Sequence, residues 1–182
     1  MGGSAGGHLA AMLGTSGGVA ELEGKLGSCS DQSSHVQCVV DQFGPVDLLT
    51  LGQGDSAQDH FSATSPESLL LGGPVLQRKE LARQASPATY VSKDDPPFLI
   101  IHGDKDPLIP FQQSVAFAQL LKNSGVAVRF IPITKGGHGG FGSNELEQRI
   151  KLFFDIHLRQ QPGEVAETAI ISNGKNRPTP AR

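Results

Sequence analysis

The chain has no tryptophan, a single tyrosine and only two cysteines among its 182 residues. Cys29 and Cys38 are too few for a disulfide framework, or for a zinc site, which usually has four ligands. Basic runs are also missing and the formal net charge is −3, so the sequence gives no indication of nucleic-acid binding. No stretch reaches the roughly 18 apolar residues that a membrane-spanning helix requires. What remains is typical of one globular domain, with 37% hydrophobic and 18% charged residues.

Hydrophobic periodicity divides the chain into alternating strands and helices. We predict strands at 35–43, 97–102 and 126–134, and helices at 7–13, 111–124 and about 146–158. The segment 97–102 (PFLIIH) is apolar throughout its first five positions, which is typical of a strand buried on both faces of a parallel sheet. Strands and helices that alternate in this way predict an α/β fold with a mostly parallel sheet.

The long connection between the first two predicted strands is expected to leave the sheet. Residues 47–90 contain two short helical segments, SPESLLLGG and LQRKELARQ, and we expect them to form an excursion over one end of the sheet, partly capping a pocket. Ser65 suits the N-cap of the first helix, and the glycines that follow suit its end. We place the domain at 1–158, and predict a flexible tail at 159–182, where periodicity is lost.

A serine in a glycine-rich turn opens the chain. Gly2-Gly3-Ser4-Ala5-Gly6 matches G-x-S-x-G, the strand-to-helix turn that exposes a nucleophilic serine. Because the chain has 23 glycines, the match is weak evidence by itself. Ser16 lies in a second match, but that match follows a helix and precedes a loop, so we interpret it as a flexible helix end.

Acidic and histidine side chains follow two later strands. The second predicted strand leads into HGDKDP, with Asp104 and Asp106, and the third leads into KGGHGG, with His138. The carboxyl ends of parallel strands are where such sheets place catalytic groups. A serine nucleophile needs a histidine base and an acid that orients it, and the order Ser, Asp, His is that of α/β-hydrolases. We favour Asp106 as the acid, because Asp104 lies nearer the strand and is expected to brace the turn.

The other histidines are expected to have structural roles. None combines with an acid at metal-site spacing, so we predict no metal. These residues are His8, His35, His60, His102 and His157.

Four segments carry a family resemblance: GGSAGGHLAAMLG, SPESLLLGG, ASPATYVSKDDPPFLIIHGDKDPLIP and GGHGGFG. Over about 1–158 the chain resembles α/β-hydrolase esterases of the bacterial feruloyl-esterase-like and acetyl-esterase/lipase group. The resemblance implies an α/β-hydrolase fold and hydrolysis of a small carboxylic ester through an acyl-enzyme, without a cofactor. It implies Ser4 as nucleophile, Asp106 as orienting acid, His138 as general base and then acid, and the backbone N–H of Ala5 as one oxyanion donor.

The chain departs from that group at its start. Members of the group have further strands and a His-Gly-Gly-type oxyanion loop before the serine turn, whereas this chain begins at the turn. We therefore expect a carboxyl-terminal portion, truncated before the elbow, that folds poorly and is impaired or inactive alone. Removing one oxyanion donor typically lowers turnover about 100-fold to 1000-fold.

Two alternatives remain open at this point. Prolyl-oligopeptidase-type serine peptidases have the same Ser, Asp, His order and a similar turn, although those that resemble this half usually have an aromatic residue where Ala5 stands. A non-catalytic fragment would keep the three residues without a working site.

Overall fold

The computed structural model describes residues 1–25, 27, 28 and 31–172. Within these ranges the chain forms a five-stranded sheet in the order β1-β2-β3-β4-β5, with every neighbouring pair parallel. The strands are β1 (Gly2–Gly3), β2 (Val39–Gln42), β3 (Phe98–Gly103), β4 (Val128–Thr134) and β5 (Ile170–Ile171). The helices are α1 (Ala5–Thr15), α2 (Pro66–Leu71), α3 (Lys79–Gln84), α4 (Phe111–Asn123) and α5 (Asn144–Arg159). None of the helices in this part of the chain is both long and apolar enough to cross a membrane.

The predicted α/β class with a parallel sheet is confirmed, but the strand bounds differ. Strand β2 begins at Val39, four positions later than predicted, because it is paired only where Val39 to Gln42 run beside β3. Strands β1 and β5 have two residues each, which is too short for periodicity to reveal them. Cys29 lies outside the described residues.

Alternation along the strands gives the sheet two buried faces. Phe98 and Ile100 of β3 pack with α1 and α4, whereas Leu99 and Ile101 pack with α5. All six residues of β3 are buried, as its apolar sequence predicts for a strand covered on both sides.

The excursion packs against the loop that follows β3. Leu51, Val75 and Ala82 form a small apolar cluster with Ile109 of that loop. The predicted N-cap of α2 is present, with Ser65 Oγ accepting a hydrogen bond from the backbone N–H three residues later at 3.1 Å. The excursion therefore fixes the position of a loop at the carboxyl end of the sheet.

The predicted tail begins at Arg159, the last residue of α5, and its described part, 159–172, packs onto the domain. Val165 and Ile170 are buried, and Ile170 lies beside Ile133 in the sheet. The guanidinium group of Arg149 donates to the carbonyl oxygen of Thr168 at 2.6 Å. The two buried residues are five positions apart and produce neither a helical nor an alternating pattern, so the predicted boundary at 158 falls too early. Residues 173–182 lie outside the described chain.

Candidate active site

Ser4 lies in a tight turn between β1 and α1. Its φ is 55° and its ψ is −123°. A non-glycine residue with such backbone angles costs about 1–3 kcal/mol and must be held by its surroundings. Here the Ser4 N–H donates to the Gln42 carbonyl oxygen at 2.9 Å, and the His8 N–H donates to that of Ser4 at 3.0 Å. Gly2 is required, because a Cβ atom there would lie 2.1 Å from the carbonyl oxygen of Gly6.

Asp106 lies in the loop after β3, and its side chain is fully buried. Its Oδ1 accepts hydrogen bonds from the backbone N–H groups of Leu108 at 2.8 Å and Ile109 at 3.0 Å. Burial raises the pKa of this carboxyl group, but hydrogen bonds from His102, His138 and the two backbone amides together hold the pKa well below its ordinary value. Asp106 is therefore an ionised carboxylate at neutral pH.

His138, in the loop after β4, connects Ser4 to Asp106. Its Nδ1 lies 2.8 Å from Asp106 Oδ2, and its Nε2 lies 2.8 Å from Ser4 Oγ. Because a carboxylate can only accept, Nδ1 carries the proton, and Nε2 of the neutral ring accepts from the serine hydroxyl. The structure thus brings together the serine, acid and histidine that the sequence predicts.

The two rejected candidates have other positions. Asp104 Oδ1 accepts a hydrogen bond from the backbone N–H of Lys135 at 2.7 Å, which joins the loops after β3 and β4. Ser16 is the C-cap of α1, and its N–H donates to the carbonyl oxygen of Met12. Ala5, the fourth predicted site residue, is the first residue of α1, where backbone N–H groups have no acceptor within the helix.

Two residues next to His138 and Asp106 are not predicted by the sequence. His102, the fifth residue of β3, is fully buried with its Nε2 3.2 Å from Asp106 Oδ2. Phe43 follows β2 with a φ of 46°, and its ring meets the His138 ring edge to face at 4.7 Å between centroids. Their position at the carboxyl ends of predicted strands is the signal that could have identified them.

The remaining described histidines contact other groups. His8 Nε2 lies 2.7 Å from the carbonyl oxygen of Ala85, and the His157 ring packs against Phe153. His60 Nδ1 lies 3.1 Å from a Glu67 carboxylate oxygen. Within the described ranges, no group of three or more His, Cys, Asp or Glu side chains is arranged to hold a metal ion.

Comparison with known proteins gives matches in sequence and in structure. The BD-FAE family model matches residues 1–121. Esterase LipQ of Mycobacterium tuberculosis (strain ATCC 25618 / H37Rv) is 33% identical over 128 residues, which cover 69% of this chain and 28% of LipQ.

Solved structures match over most of the chain. A truncated form of a carbohydrate esterase from gut microbiota is 37% identical with a TM-score of 0.73, over 86% of this chain and 57% of the esterase. The acylaminoacyl peptidase of Pyrococcus horikoshii is 22% identical with a TM-score of 0.68, over 90% of this chain and 24% of the peptidase, which is a likeness of fold alone. The chain therefore spans between about a quarter and three fifths of the lengths of these proteins.

Proposed function

Because the chain belongs to the BD-FAE family and has the α/β-hydrolase fold, we propose that it is a serine hydrolase that cleaves carboxylic esters through an acyl-enzyme. The observation that carries this proposal is the unbroken hydrogen-bonded series from Ser4 through His138 to Asp106, with both distances at 2.8 Å. These are the contacts that a hydroxyl nucleophile needs from its base, and that the base needs from its orienting acid.

Acylation of Ser4 is the first half of the proposed reaction. Ser4 Oγ attacks the ester carbonyl carbon while His138 Nε2 takes the hydroxyl proton, and Asp106 stabilises the imidazolium that forms. When the tetrahedral intermediate collapses, His138 gives this proton to the departing alcohol oxygen. The acyl group is left on Ser4 as an ester.

Deacylation repeats the same steps with water as nucleophile. His138 removes a proton from water, the water oxygen attacks the acyl carbon, and the proton returns to Ser4 as the acid leaves. We assign the Ala5 N–H as one donor to the negative oxygen in both intermediates, since the amino end of a helix favours negative charge. Every proton and electron pair in this cycle is carried by substrate, water and these residues, so we propose no cofactor.

Small acyl or aryl esters are the proposed substrates, including acetyl or feruloyl groups linked to sugars. The match to a carbohydrate esterase at 37% identity supports esters of carbohydrates. LipQ, at 33% identity, supports the wider esterase class. The peptidase match at 22% identity supports the fold and carries no argument about substrate.

Labelling by a fluorophosphonate tests the proposal, because the probe reacts only with an activated hydroxyl group. The 182-residue protein is expected to be labelled, and the ester hydrolysis that it retains should favour 4-nitrophenyl acetate over a peptide 4-nitroanilide. The Ser4→Ala variant should lose both labelling and hydrolysis. The matched Ser16→Ala variant, at the other G-x-S-x-G sequence, should keep both.

Three outcomes would overturn parts of the proposal. An unlabelled wild-type protein would mean that Ser4 is not activated. Labelling that survives Ser4→Ala and disappears in Ser16→Ala would show that Ser16 is the nucleophile. Cleavage of the anilide in preference to the ester would replace the esterase assignment with the peptidase alternative.

A further inference from the structure

A second buried histidine contacts the carboxylate of the proposed catalytic acid. His102 Nε2 lies 3.2 Å from Asp106 Oδ2 and 3.1 Å from the carbonyl oxygen of Ile109. The other ring nitrogen, Nδ1, lies 2.7 Å from Oγ of Ser114 in α4. The side chains of His102 and Asp106 and the whole of Ser114 are inaccessible to solvent.

These contacts determine which ring nitrogen of His102 carries the proton. Both oxygens that face Nε2 belong to a carboxylate and a backbone carbonyl, which only accept hydrogen bonds. Nε2 is therefore a donor, and in the neutral ring Nδ1 is an acceptor. The hydroxyl of Ser114 donates to Nδ1 and so selects this tautomer.

We propose that His102 is a positioning residue of the esterase site, which shares Asp106 Oδ2 with His138 and so limits how strongly the carboxylate binds the His138 ring. The proposal rests on the function proposed above. An oxygen that accepts two hydrogen bonds is a weaker acceptor for each than an oxygen that accepts one. His102 thereby lowers the stability of the imidazolium form of His138, which is the form that cannot act as a base.

Removing the His102 donor gives a directional prediction. The carboxylate should hold the His138 Nδ1–H more strongly and favour the protonated ring. The pH at which half of the His138 rings are protonated should then rise by about half a unit to one unit. The acid limb of kcat/KM for ester hydrolysis should move to higher pH by the same amount.

The groups that face this series of residues come from every element around it. Ser4 faces His138 from the start of α1, and the uncharged Phe43 ring faces it from the end of β2. Ser114 and the Phe111 ring face His102 from α4. Asp104 accepts a hydrogen bond from the backbone N–H of Lys135, in the loop that carries His138. Replacing His102 leaves the contacts of Asp104 in place. A shift can therefore be assigned to Asp106 Oδ2.

His60 is a matched control, because it contacts the same loop without contacting the carboxylate. Its Nε2 lies 2.8 Å from the carbonyl oxygen of Leu108, one residue before the carbonyl that His102 contacts. His60 is also buried, at 1% exposed. If His102 acted only by holding the loop, replacing either histidine should have the same effect.

The test compares His102→Leu, His102→Gln and His60→Leu with the wild type. The titration of the His138 ring is followed by NMR in protein with ¹³C-labelled histidine, and its signal is assigned as the one absent from the spectrum of His138→Gln. The acid limb of kcat/KM is measured with 4-nitrophenyl acetate. His102→Leu should move both midpoints upward, while the glutamine variant, which keeps an N–H donor near the Nε2 position, should restore them. His60→Leu should lower stability and leave both midpoints unchanged.

Equal midpoints in His102→Leu and wild type would overturn the proposal, as would equal shifts in the two leucine variants. If His102→Leu does not fold, His102→Phe serves in its place, since its ring fills the same space without an N–H donor and should shift the midpoints in the same direction. The ring titration does not need turnover. A shifted titration without ester hydrolysis or probe labelling would refute the proposed function alone, and hydrolysis and labelling without a shift would refute the role of His102 alone.

Discussion

His138 Nε2 lies 2.8 Å from Ser4 Oγ, although 134 positions separate the two residues in the chain. The contact exists because Ser4 follows β1 and His138 follows β4, and parallel strands end at the same edge of the sheet. Asp106 follows β3, and its carboxylate reaches the other nitrogen of the same ring. The parallel topology thus brings Ser4, His138 and Asp106, from three loops, into one continuous chain of hydrogen bonds.

Replacing Asp106 with asparagine should lower turnover much more than the same change at Asp104. An asparagine can hold the histidine in the wrong tautomer, and this change in a Ser-His-Asp triad typically lowers turnover about 10⁴-fold. Asp104 accepts one backbone hydrogen bond from Lys135, so Asp104→Asn should lower turnover by less than about tenfold. Steady-state rates with 4-nitrophenyl acetate measure both. Equal losses would show that the loop as a whole, and no single carboxylate, is needed.

Gly7 and Gly6, neighbours in α1, should respond in opposite ways to alanine. A Cβ atom at Gly7 would lie 2.4 Å from Asp41 Oδ1 and 2.9 Å from the Gln42 carbonyl oxygen, whereas one at Gly6 meets nothing within 4 Å. We expect Gly7→Ala to lower the free energy of unfolding by about 1–3 kcal/mol. Gly6→Ala should raise it by up to about 1 kcal/mol, because alanine favours helix. Urea unfolding measures both, and a stable Gly7→Ala variant would contradict this packing.

Asp41 should make stability depend on pH. Its Oδ1 accepts from the Gly44 N–H at 2.9 Å, and its Oδ2 is buried with no hydrogen-bond partner among the residues described. Burial raises its pKa from 3.8 to about 7, against the opposing effect of the Gly44 hydrogen bond. Between these pH values the folded state keeps a proton that the unfolded chain has lost. The free energy of unfolding should therefore fall as pH rises from about 4 to about 7 and stay low above that.

The Asp41→Asn variant isolates this contribution, because it keeps the shape of the side chain and cannot ionise. Its free energy of unfolding, measured in urea at pH 5, 6, 7 and 8, should exceed that of the wild type by a growing margin, reaching a few kcal/mol. Asp55→Asn, at an exposed position, is the control and should follow the wild type. A constant difference between Asp41→Asn and wild type across this range would mean that Asp41 does not titrate in it.

Ile170 and Ile171 test whether the segment after α5 belongs to the domain. Ile170 is 4% exposed beside β4, whereas Ile171 is 66% exposed. Ile170→Ala should lower the free energy of unfolding by about 2 kcal/mol or more, through lost burial and a residual cavity. Ile171→Ala should change it by less than about 0.5 kcal/mol. Similar small effects of both changes in urea unfolding would show that this segment adds no stability.

Local sequence patterns determined the class of the fold and singled out three residues that the structure brings into contact. The apolar run of β3, the helical spacing in α4 and the alternation in β4 each depend on neighbours in the chain, so they can be recognised without a structure. The same is true of the Ser65 cap and of the order in which Ser4, Asp106 and His138 follow their strands. Chain order and strand ends suffice there because parallel topology fixes which ends meet.

The tertiary structure alone decided the contacts between distant segments. Strands β1 and β5 exist because a longer strand beside each one offers hydrogen-bond partners, and two residues carry no pattern of their own. The sequence predicts only that His102 lies at the end of a strand. The tertiary structure shows that its ring contacts Ser114 of α4 and shares a carboxylate oxygen of Asp106 with His138. Such contacts depend on distances and directions between side chains that are far apart in the chain, and neither periodicity nor residue type encodes those quantities locally.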